Sequence, residues 1–227
     1  MREISCETIS RAVAGMISTA AFELPSDVLE ALAEARRREV SENGRLLLGR
    51  IEENARLARE CRLPLCQDTG TAVFFVEVGA GLRIVGGLLT DAINDGVREG
   101  YGRAFLRKSI CHPFTRANTG DNTPAIIHFI PVAGDRLHMT YLAKGGGAEN
   151  KSAVRMLKPS DGKRGVIEAV LDIVGSAGAS PCPPVVTGVG IGGNLERAAW
   201  LAKYALRRPL NRHNPDAELA GMEAEIL

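Results

Sequence analysis

The sequence lacks a strong net charge and lacks any long hydrophobic run. Its 28 basic and 27 acidic residues leave a formal charge of +1, which creates no global field to attract nucleic acid or an anionic membrane. No stretch approaches the roughly 20 apolar residues that a membrane span needs. We therefore expect no nucleic-acid partner and no membrane partner. Local groups would have to hold any anionic substrate.

A secretion signal and a disulfide framework are also missing. Arg2, Glu3 and Glu7 do not fit the basic and then apolar layout of a signal peptide. The 5 cysteines are an odd number, which argues against a set of disulfides. A cytoplasmic location is the default expectation. In a reducing compartment the cysteines serve as core residues, reactive thiols or metal ligands.

Helical patterns fill the first third of the chain. Residues 7–21, 27–42 and 45–62 follow helical periodicity, and Ser26 is the expected N-cap of the second helix. The charged groups of this second helix run from acidic to basic, as the helix dipole favours.

Strand patterns dominate the middle of the chain. The β-branched and aromatic run TAVFFVEVG predicts a buried strand. The runs AIIHFIPV and RLHMTYLA predict an antiparallel hairpin in which His128 and His138 could face each other. We therefore expect an α+β fold, with a helical N-terminal third followed by a mixed or antiparallel sheet flanked by helices. The expected organisation is one domain covering residues 1–227.

A thiol, an amide and a carboxylate lie together in the CQDTG loop, residues 66–70, just before the predicted buried strand. A ligand at the edge of a strand is held more rigidly than one in a free loop. The alternative is a buried cysteine beside a turn aspartate, which the usual burial of cysteine favours on composition alone. Both interpretations of Cys66 and Asp68 stay open at this point.

Three prolines flank Cys182 in the SPCPP segment, residues 180–184. Because prolines fix φ and remove backbone donors, this cysteine lies in a stiff, non-helical segment. Cys66 and Cys182 are far apart in the chain, so neither belongs to a local zinc or ferredoxin pattern. Either the fold brings them to a shared metal site, or SPCPP is only a connector.

Two further segments could contact an anion, and a turn lies between them in the sequence. The KGGGAENKS motif, residues 144–152, has three consecutive glycines that could bring backbone N–H groups close to a ligand, although a flexible loop is an equal alternative. The NTGDNTP turn, residues 118–124, has strong turn residues. In the FLRKS segment, residues 105–109, Arg107 and Lys108 are candidate carboxylate clamps, although surface arginines are usually solvated.

The GVGIGG motif, residues 188–193, matches the spacing of a dinucleotide fingerprint between an apolar run, read as a short strand, and a helix. No convincing second strand with an acidic ribose partner follows it. Tight packing of a helix against a strand is therefore the preferred interpretation, and a nucleotide site is the weaker one.

Four of these segments together resemble one family. The strings CQDTGT, NTGDNTPA, KGGGAENKS and CPPVVTGVGIGG are similar, in this order, to motifs of the alpha subunits of class I, iron–sulfur-dependent fumarases and tartrate dehydratases. Similar motifs occur in the N-terminal domain of the single-chain enzymes. The similarity covers the chain from about Ile4 to its last residues, and the set is far more specific than any one motif.

The resemblance implies a hydro-lyase that adds water to, or removes it from, a small dicarboxylate, with fumarate and malate as the first candidates and tartrate as the next. It implies a 4Fe–4S cluster held by three cysteines, two of which match Cys66 and Cys182. Gln67 and Asp68 match residues that line the substrate pocket, with Asp68 as the candidate catalytic residue. Arg107 falls near the family's substrate-binding arginine.

By the same resemblance, Gly147 falls at a backbone contact to substrate. The family also implies a beta subunit or C-terminal domain that supplies the base for the C3 proton and further arginine clamps, and hence a homo- or hetero-oligomer. The family's third ligand cysteine lies in a further C-terminal segment, which residues 1–227 are expected to lack. Cys6, Cys61 and Cys111 do not occupy its position.

Two other function classes stay open on the sequence alone. One is a module of the same fold that has lost the cluster and serves in assembly or interaction. The other is a nucleotide-binding domain built on the GVGIGG motif. Iron uptake separates the hydro-lyase from the first of these, and binding of a dinucleotide separates it from the second.

Overall fold

The computed structural model describes residues 2–227, which divide into two compact units. The first unit reaches to Gly146 and the second covers Gly147–Leu227. The boundary between the units falls inside the triple glycine of the KGGGAENKS motif. The expected single domain over residues 1–227 stays a prediction.

The first unit begins with a short strand and three helices, as the helical periodicity predicts. These elements are β1 (Arg2–Ser5), α1 (Cys6–Phe22), α2 (Ser26–Arg38) and α3 (Glu42–Cys61). The predicted N-cap of α2 is wrong, because Pro25 occupies the cap and Ser26 is already helical. Pro25 has a φ of −59° and an extended ψ of 151°, a backbone geometry that suits the residue just before a helix.

A three-stranded mixed sheet forms the centre of the first unit. Its strands are β2 (Thr71–Gly79), β4 (Ile126–Val132) and β5 (Leu137–Lys144), in the order β4-β2-β5. β2 runs parallel to β4 and antiparallel to β5. A separate parallel pair joins β1 to β3 (Leu82–Val85). The helical first third and the mixed sheet confirm the predicted α+β class.

The predicted hairpin of the second and third long strands is wrong, because β2 lies between β4 and β5. The chain leaves β2 through β3 and the helix α4 (Leu89–Arg103), and it returns to the sheet as the parallel strand β4. The connection to β5 then crosses the end of β2, where the Gly79 N–H donates to the carbonyl of Arg136 at 2.9 Å. His128 and His138 consequently pair on opposite sides of β2, with Phe75 and Glu77 respectively, and do not face each other.

The most apolar strand takes the central position. Along β2, Ala72, Phe74 and Val76 join a cluster with side chains of α1 and α4, while the alternating residues Val73 and Phe75 are also buried. A strand buried on both faces reads as a continuous hydrophobic run. This explains why TAVFFVEVG lies at the centre of the sheet and the two strands with more polar residues flank it.

The second unit is helical among its described residues, so the predicted short strand before the GVGIGG motif is wrong. Its elements are α5 (Gly146–Glu149), which starts at the boundary, a 3-10 turn (Pro159–Asp161), α6 (Gly162–Ala177), α7 (Leu195–Ala205) and α8 (Ala217–Ile226). Val170 and Met222 are its buried apolar side chains. Within residues 2–227, no helix has both the length and the apolar character that a membrane crossing requires.

Candidate functional site

The topology of the mixed sheet brings three of the sequence motifs to one edge. The CQDTG loop ends where β2 begins, and the NTGDNTP turn ends just before the parallel strand β4. The KGGGAENKS motif begins where the antiparallel strand β5 ends, with Lys144 opposite Thr71. Parallel strands start at the same edge and an antiparallel strand ends there. The three motifs therefore lie together at the edge where β2 begins.

Two backbone amides fix the carboxylate of Asp68 at this edge. Its Oδ1 accepts a hydrogen bond from the N–H of Gly70 at 3.2 Å, within the CQDTG loop. Its Oδ2 accepts one from the N–H of Gly146 at 2.8 Å, in the KGGGAENKS motif. The side chain is half-buried, so part of the carboxylate stays accessible. Asp68 thus joins two motifs that are far apart in the chain.

Only glycine fits at position 70. Gly70 has a φ of +73°, and a Cβ placed there would lie 2.6 Å from the carbonyl carbon of Lys144 and 2.8 Å from the nitrogen of Gly145. A side chain is strained at this φ and has no room against this backbone. The glycine of the CQDTG loop is therefore needed for close approach to the triple glycine.

The FLRKS segment is attached to the same loop. The Thr69 hydroxyl donates to the backbone carbonyl of Arg107 at 2.9 Å, and the Lys108 ammonium donates to the carbonyl of Tyr101 at 3.5 Å. The Arg107 side chain is exposed. The structure thus brings Arg107 next to the CQDTG loop through its backbone and leaves its guanidinium accessible to an anion.

Asn122 of the NTGDNTP turn connects three segments and was not singled out from the sequence. It is fully buried, with a left-handed φ of 63°. Its Oδ1 accepts from the N–H groups of Ser109 at 2.5 Å and Ile110 at 3.2 Å, and its Nδ2 donates to the carbonyl of Gly70 at 3.2 Å. Asparagine tolerates this backbone conformation, and the turn string gave the only sequence signal for it.

Two tyrosines lie behind the CQDTG loop and were also missed from the sequence. The hydroxyl of Tyr101, in α4, lies 3.0 Å from the carbonyl oxygens of both Thr69 and Gly70. It also lies 3.1 Å from the hydroxyl of Tyr141, in β5. Burial raises the pKa of both phenols above the usual value, so both are neutral at physiological pH. A tyrosine inside a helix or strand pattern carries no local sign of such a role.

The NTGDNTP turn holds a strongly acidic carboxyl group. Backbone N–H donation by Thr123 is the largest cause that lowers the pKa of Asp121 to about 2, and the Thr123 hydroxyl and Arg98 add to it. The Arg98 Nε donates to Asp121 at 2.9 Å and ties the turn to α4. This aspartate is therefore a structural anion that fixes the turn before β4.

Cys66 and Gln67 are exposed at the open side of the CQDTG loop. The Cys66 sulfur lies 3.5 Å from Oε1 of Gln67. Burial of Cys66 in the core, the alternative from composition, is therefore wrong. Its thiol lies in the same loop as Asp68 and is accessible to a ligand.

Cys182 is exposed in the second unit and has an unusual backbone conformation. Its φ is 60°, in the left-handed region that residues with a side chain rarely adopt, and its N–H donates to the carbonyl of Ala179 at 3.1 Å. Such outliers cluster at functional sites. In the same unit, a Cβ on Gly147 would lie 3.2 Å from the carbonyl oxygen of Ser180, so Gly147 lies close to the SPCPP segment.

The GVGIGG glycines pack against a helix. A Cβ on Gly188 or Gly190 would lie 2.1 Å from a backbone carbonyl oxygen of α7, those of Ala202 and Ala198 respectively. The side chain of Asn194 accepts a hydrogen bond from the Arg197 N–H at 2.8 Å and so caps α7 itself. These contacts agree with the packing interpretation of the motif and leave the nucleotide interpretation without a contact that favours it.

The five cysteines differ in exposure and in the type of segment that contains them. All five cysteines are free, and among residues 2–227 no group of three or more His, Cys, Asp or Glu side chains is arranged to hold a metal ion. Cys66 and Cys182 are exposed in non-helical segments, and cysteine thiolates are the usual ligands of iron–sulfur clusters. Cys6 begins α1, Cys61 ends α3, and Cys111 forms an isolated bridge with Asn118.

Comparison with known proteins identifies relatives that match most of the chain. The family model described as Fumarate hydratase (Fumerase) matches residues 10–227. A Methanocaldococcus jannaschii protein, provisionally named as an L(+)-tartrate dehydratase subunit alpha, is 40% identical over 225 residues, which are 96% of this chain and 79% of the relative. The L(+)-tartrate dehydratase subunits alpha of Escherichia coli and Shigella sonnei are each 32% identical over 216 residues, covering 93% of this chain and 70% of the relative.

These matches cover nearly the whole chain and include every segment of the edge at which β2 begins. They confirm the resemblance of the chain to this family. The chain therefore belongs to the fumarate hydratase (Fumerase) family of hydro-lyases.

Proposed function

We propose that the chain is the alpha subunit of an iron–sulfur-dependent hydro-lyase that removes water from a 2-hydroxy dicarboxylate, with L(+)-tartrate as the first candidate. The observation that carries this proposal is the meeting of three family motifs around Asp68 at one edge of the sheet. An exposed thiol, Cys66, and an exposed guanidinium, Arg107, belong to segments attached to the same loop.

The chain has exposed cysteine thiols, which are the type of ligand that an iron–sulfur cluster needs. Cys66 and Cys182 would hold it, because both thiols are exposed in loops that other contacts stiffen. When bound, a cluster with one open iron supplies a Lewis acid for the hydroxyl and carboxylate of the substrate. A third thiolate is needed. Cys6 and Cys61 lie at helix ends, and Cys111, which pairs with Asn118 of the NTGDNTP turn, does not match the position of the family's third cysteine. We propose that the third ligand lies outside residues 1–227.

The chain's own residues would bind and orient the substrate. The carboxylate of Asp68, fixed by two amides, would accept a hydrogen bond from the substrate hydroxyl. The Arg107 guanidinium would bind a substrate carboxylate through two parallel hydrogen bonds. Gln67 and the backbone N–H of Gly147 would add neutral donors. The four groups together would set which face of the substrate loses the hydroxyl.

A partner subunit completes the proposal. The relatives are named subunit alpha, which supports a beta subunit for this chain as well. Dehydration also removes a proton from C3, and we place the base for this step on the partner. The five free cysteines support a reducing compartment, such as the cytoplasm.

The relatives' names and the family description point to different substrates. The sequence resemblance alone puts fumarate and malate first, whereas the names of the relatives put L(+)-tartrate ahead. All three compounds share two carboxylates on a four-carbon chain, and malate and tartrate have the hydroxyl that Asp68 would bind. We therefore propose L(+)-tartrate as the first substrate to test and malate or fumarate as the second.

The test is turnover by the complete complex. The chain is co-expressed with its beta partner, reconstituted with iron and sulfide without oxygen, and assayed with L(+)-tartrate, malate and fumarate. We expect brown protein and water loss or addition with at least one of the three. Colourless protein without iron, or a loaded complex inactive on all three, would contradict the proposal.

A further inference from the structure

The peptide unit between Thr69 and Gly70 is held on both of its sides. On one side the Thr69 carbonyl oxygen lies 3.0 Å from the Tyr101 hydroxyl, and on the other the Gly70 N–H donates to Oδ1 of Asp68 at 3.2 Å. Because a peptide unit is planar, a hydrogen bond that fixes its carbonyl also fixes the direction of its N–H. The Tyr101 hydroxyl therefore controls the donor that orients Asp68.

The next peptide unit is fixed from the same place. The Gly70 carbonyl oxygen lies 3.0 Å from the Tyr101 hydroxyl and accepts from Nδ2 of Asn122 at 3.2 Å. Glycine has more backbone freedom than any other residue type, so the peptide units on both sides of Gly70 need anchors from other residues. Tyr101 and Asn122 provide these anchors, and both are fully buried.

Counting protons gives the direction of the network. Tyr101 has one hydroxyl proton, and the carbonyls of Thr69 and Gly70 only accept, so this proton goes to them. The hydroxyl of Tyr141, 3.1 Å away, must then donate to the Tyr101 oxygen. Tyr141 thus fixes the rotation of the Tyr101 hydroxyl, and a chain of hydrogen bonds leads from β5 to the carboxylate of Asp68.

We propose that Tyr101 is a positioning residue for Asp68, acting through the Thr69–Gly70 peptide, with Tyr141 and Asn122 as its supports. This inference rests on the proposed function for its effect on turnover, but its structural part does not depend on iron. None of the three side chains needs to touch the substrate. They keep the acceptor of the substrate hydroxyl in place before substrate arrives.

The test compares Tyr101→Phe and Tyr141→Phe, with Tyr204→Phe in the second unit as the matched control. Each change removes one hydroxyl and keeps the ring. Hydrogen exchange is followed in peptides that cover residues 66–71 and 144–147 of the intact chain without iron. For Tyr101→Phe we expect exchange in both peptides to be about tenfold faster, because the two peptide units lose their anchor.

The remaining variants should change hydrogen exchange less than Tyr101→Phe does, or not at all. For Tyr141→Phe we expect about threefold faster exchange, because Tyr101 keeps its proton for the carbonyls. For Tyr204→Phe we expect unchanged exchange in residues 66–71 and 144–147. In the Tyr101 and Tyr141 variants we expect unchanged exchange in a reference peptide from residues 195–205. If Tyr101→Phe fails to fold, Asn122→Gly replaces it, since glycine keeps the left-handed φ and removes the anchor of the Gly70 carbonyl.

Kinetics of the loaded complex separate positioning from a purely structural role. For Tyr101→Phe we expect kcat to fall about tenfold while KM changes by less than about twofold, at unchanged iron content. Unchanged exchange in residues 66–71 would overturn the inference. So would unchanged kcat beside faster exchange. If the wild-type complex turns over no dicarboxylate, the proposed function fails, and the exchange results alone decide on the positioning role.

Discussion

In the first unit the loop with Cys66 rests on buried side chains, whereas in the second unit the segment with Cys182 is held by its own backbone. The CQDTG loop is anchored by Tyr101 and Asn122, which are fully buried. Cys182 instead combines flanking prolines with a left-handed φ of 60°. Both devices orient a thiol, but only the first draws on a hydrophobic core.

This contrast extends to the stability of the two units. The first unit has a core of side chains from α1, α4 and β2. In the second, the described contacts include ion pairs at the surface, such as Arg155–Asp172 at 2.6 Å and Lys163–Glu225 at 2.5 Å. Exposed ion pairs of this kind contribute little to stability. We therefore expect the second unit to gain more from a bound cluster or partner than the first.

Replacing either candidate thiol gives the largest expected effect. If one cluster needs both loops, Cys66→Ser and Cys182→Ser should each remove the cluster and lower turnover of the complex by more than about a hundredfold. Cys61→Ser, at the exposed end of α3, is the matched control and should keep iron and activity. Iron analysis and turnover are the measurements. Loss of iron from only one of the two variants would contradict the proposal that both thiols hold the same cluster.

Gly70→Ala tests how tightly the first unit holds its loop. The new Cβ would meet the backbone of Lys144 and Gly145 at a φ of +73°, so we expect the free energy of unfolding to fall by about 2–4 kcal/mol. Gly102→Ala, in α4 with nothing within 4 Å of the new Cβ, is the control and should be neutral or slightly stabilising. Denaturant unfolding measures both. Equal stability of the two variants would contradict the close packing.

Asp68→Asn sharpens the contrast between holding a cluster and orienting a substrate. The new amide would turn an NH2 group toward the N–H of Gly70 or Gly146, both of which donate to the carboxylate. We expect the iron content to stay and kcat to fall about tenfold to a hundredfold. Steady-state kinetics and iron analysis check this. A kcat equal to that of the wild type would contradict the proposed role of Asp68 in orienting the substrate.

The smallest expected effect concerns acid stability of the first unit. The pKa of Asp121 is lowered from 3.8 to about 2, so its stabilising contribution is present above pH 3.8 and is lost as the pH falls through about 2. The side chain is 33% exposed, so solvent screening limits the effect to about 1 kcal/mol. Unfolding of the wild type and Asp121→Asn is measured between pH 5 and about 2. Parallel curves for the two proteins would show that the carboxylate contributes nothing.

The sequence predicted the elements better than their arrangement. Periodicity located α1, α2 and α3 because each has to bury one apolar stripe. It failed at β4 and β5, since neighbours in sequence usually pair and nothing local shows that β2 separates them. The N-cap of α2 was missed by one residue, because Pro25 and Ser26 both fit a helix start.

Prediction of the candidate site from the sequence has the same limit. Cys66, Gln67, Asp68, Arg107 and Gly147 were named through the family resemblance, and the topology of the sheet explains why several of their segments meet. Their roles stay predictions. The buried supports of the CQDTG loop had no such signal, because a hydroxyl that turns toward a distant carbonyl is invisible in a helix or strand pattern. Those contacts exist only once the chain has folded.

The most direct measurement is a cross-link between the thiols of Cys66 and Cys182. A chain with serine at positions 6, 61 and 111 is treated with a short bifunctional thiol reagent, and the peptides are identified by mass spectrometry. We predict a Cys66–Cys182 cross-link in the folded chain and its loss in denaturant. Single modification of both thiols without any cross-link would contradict a shared cluster.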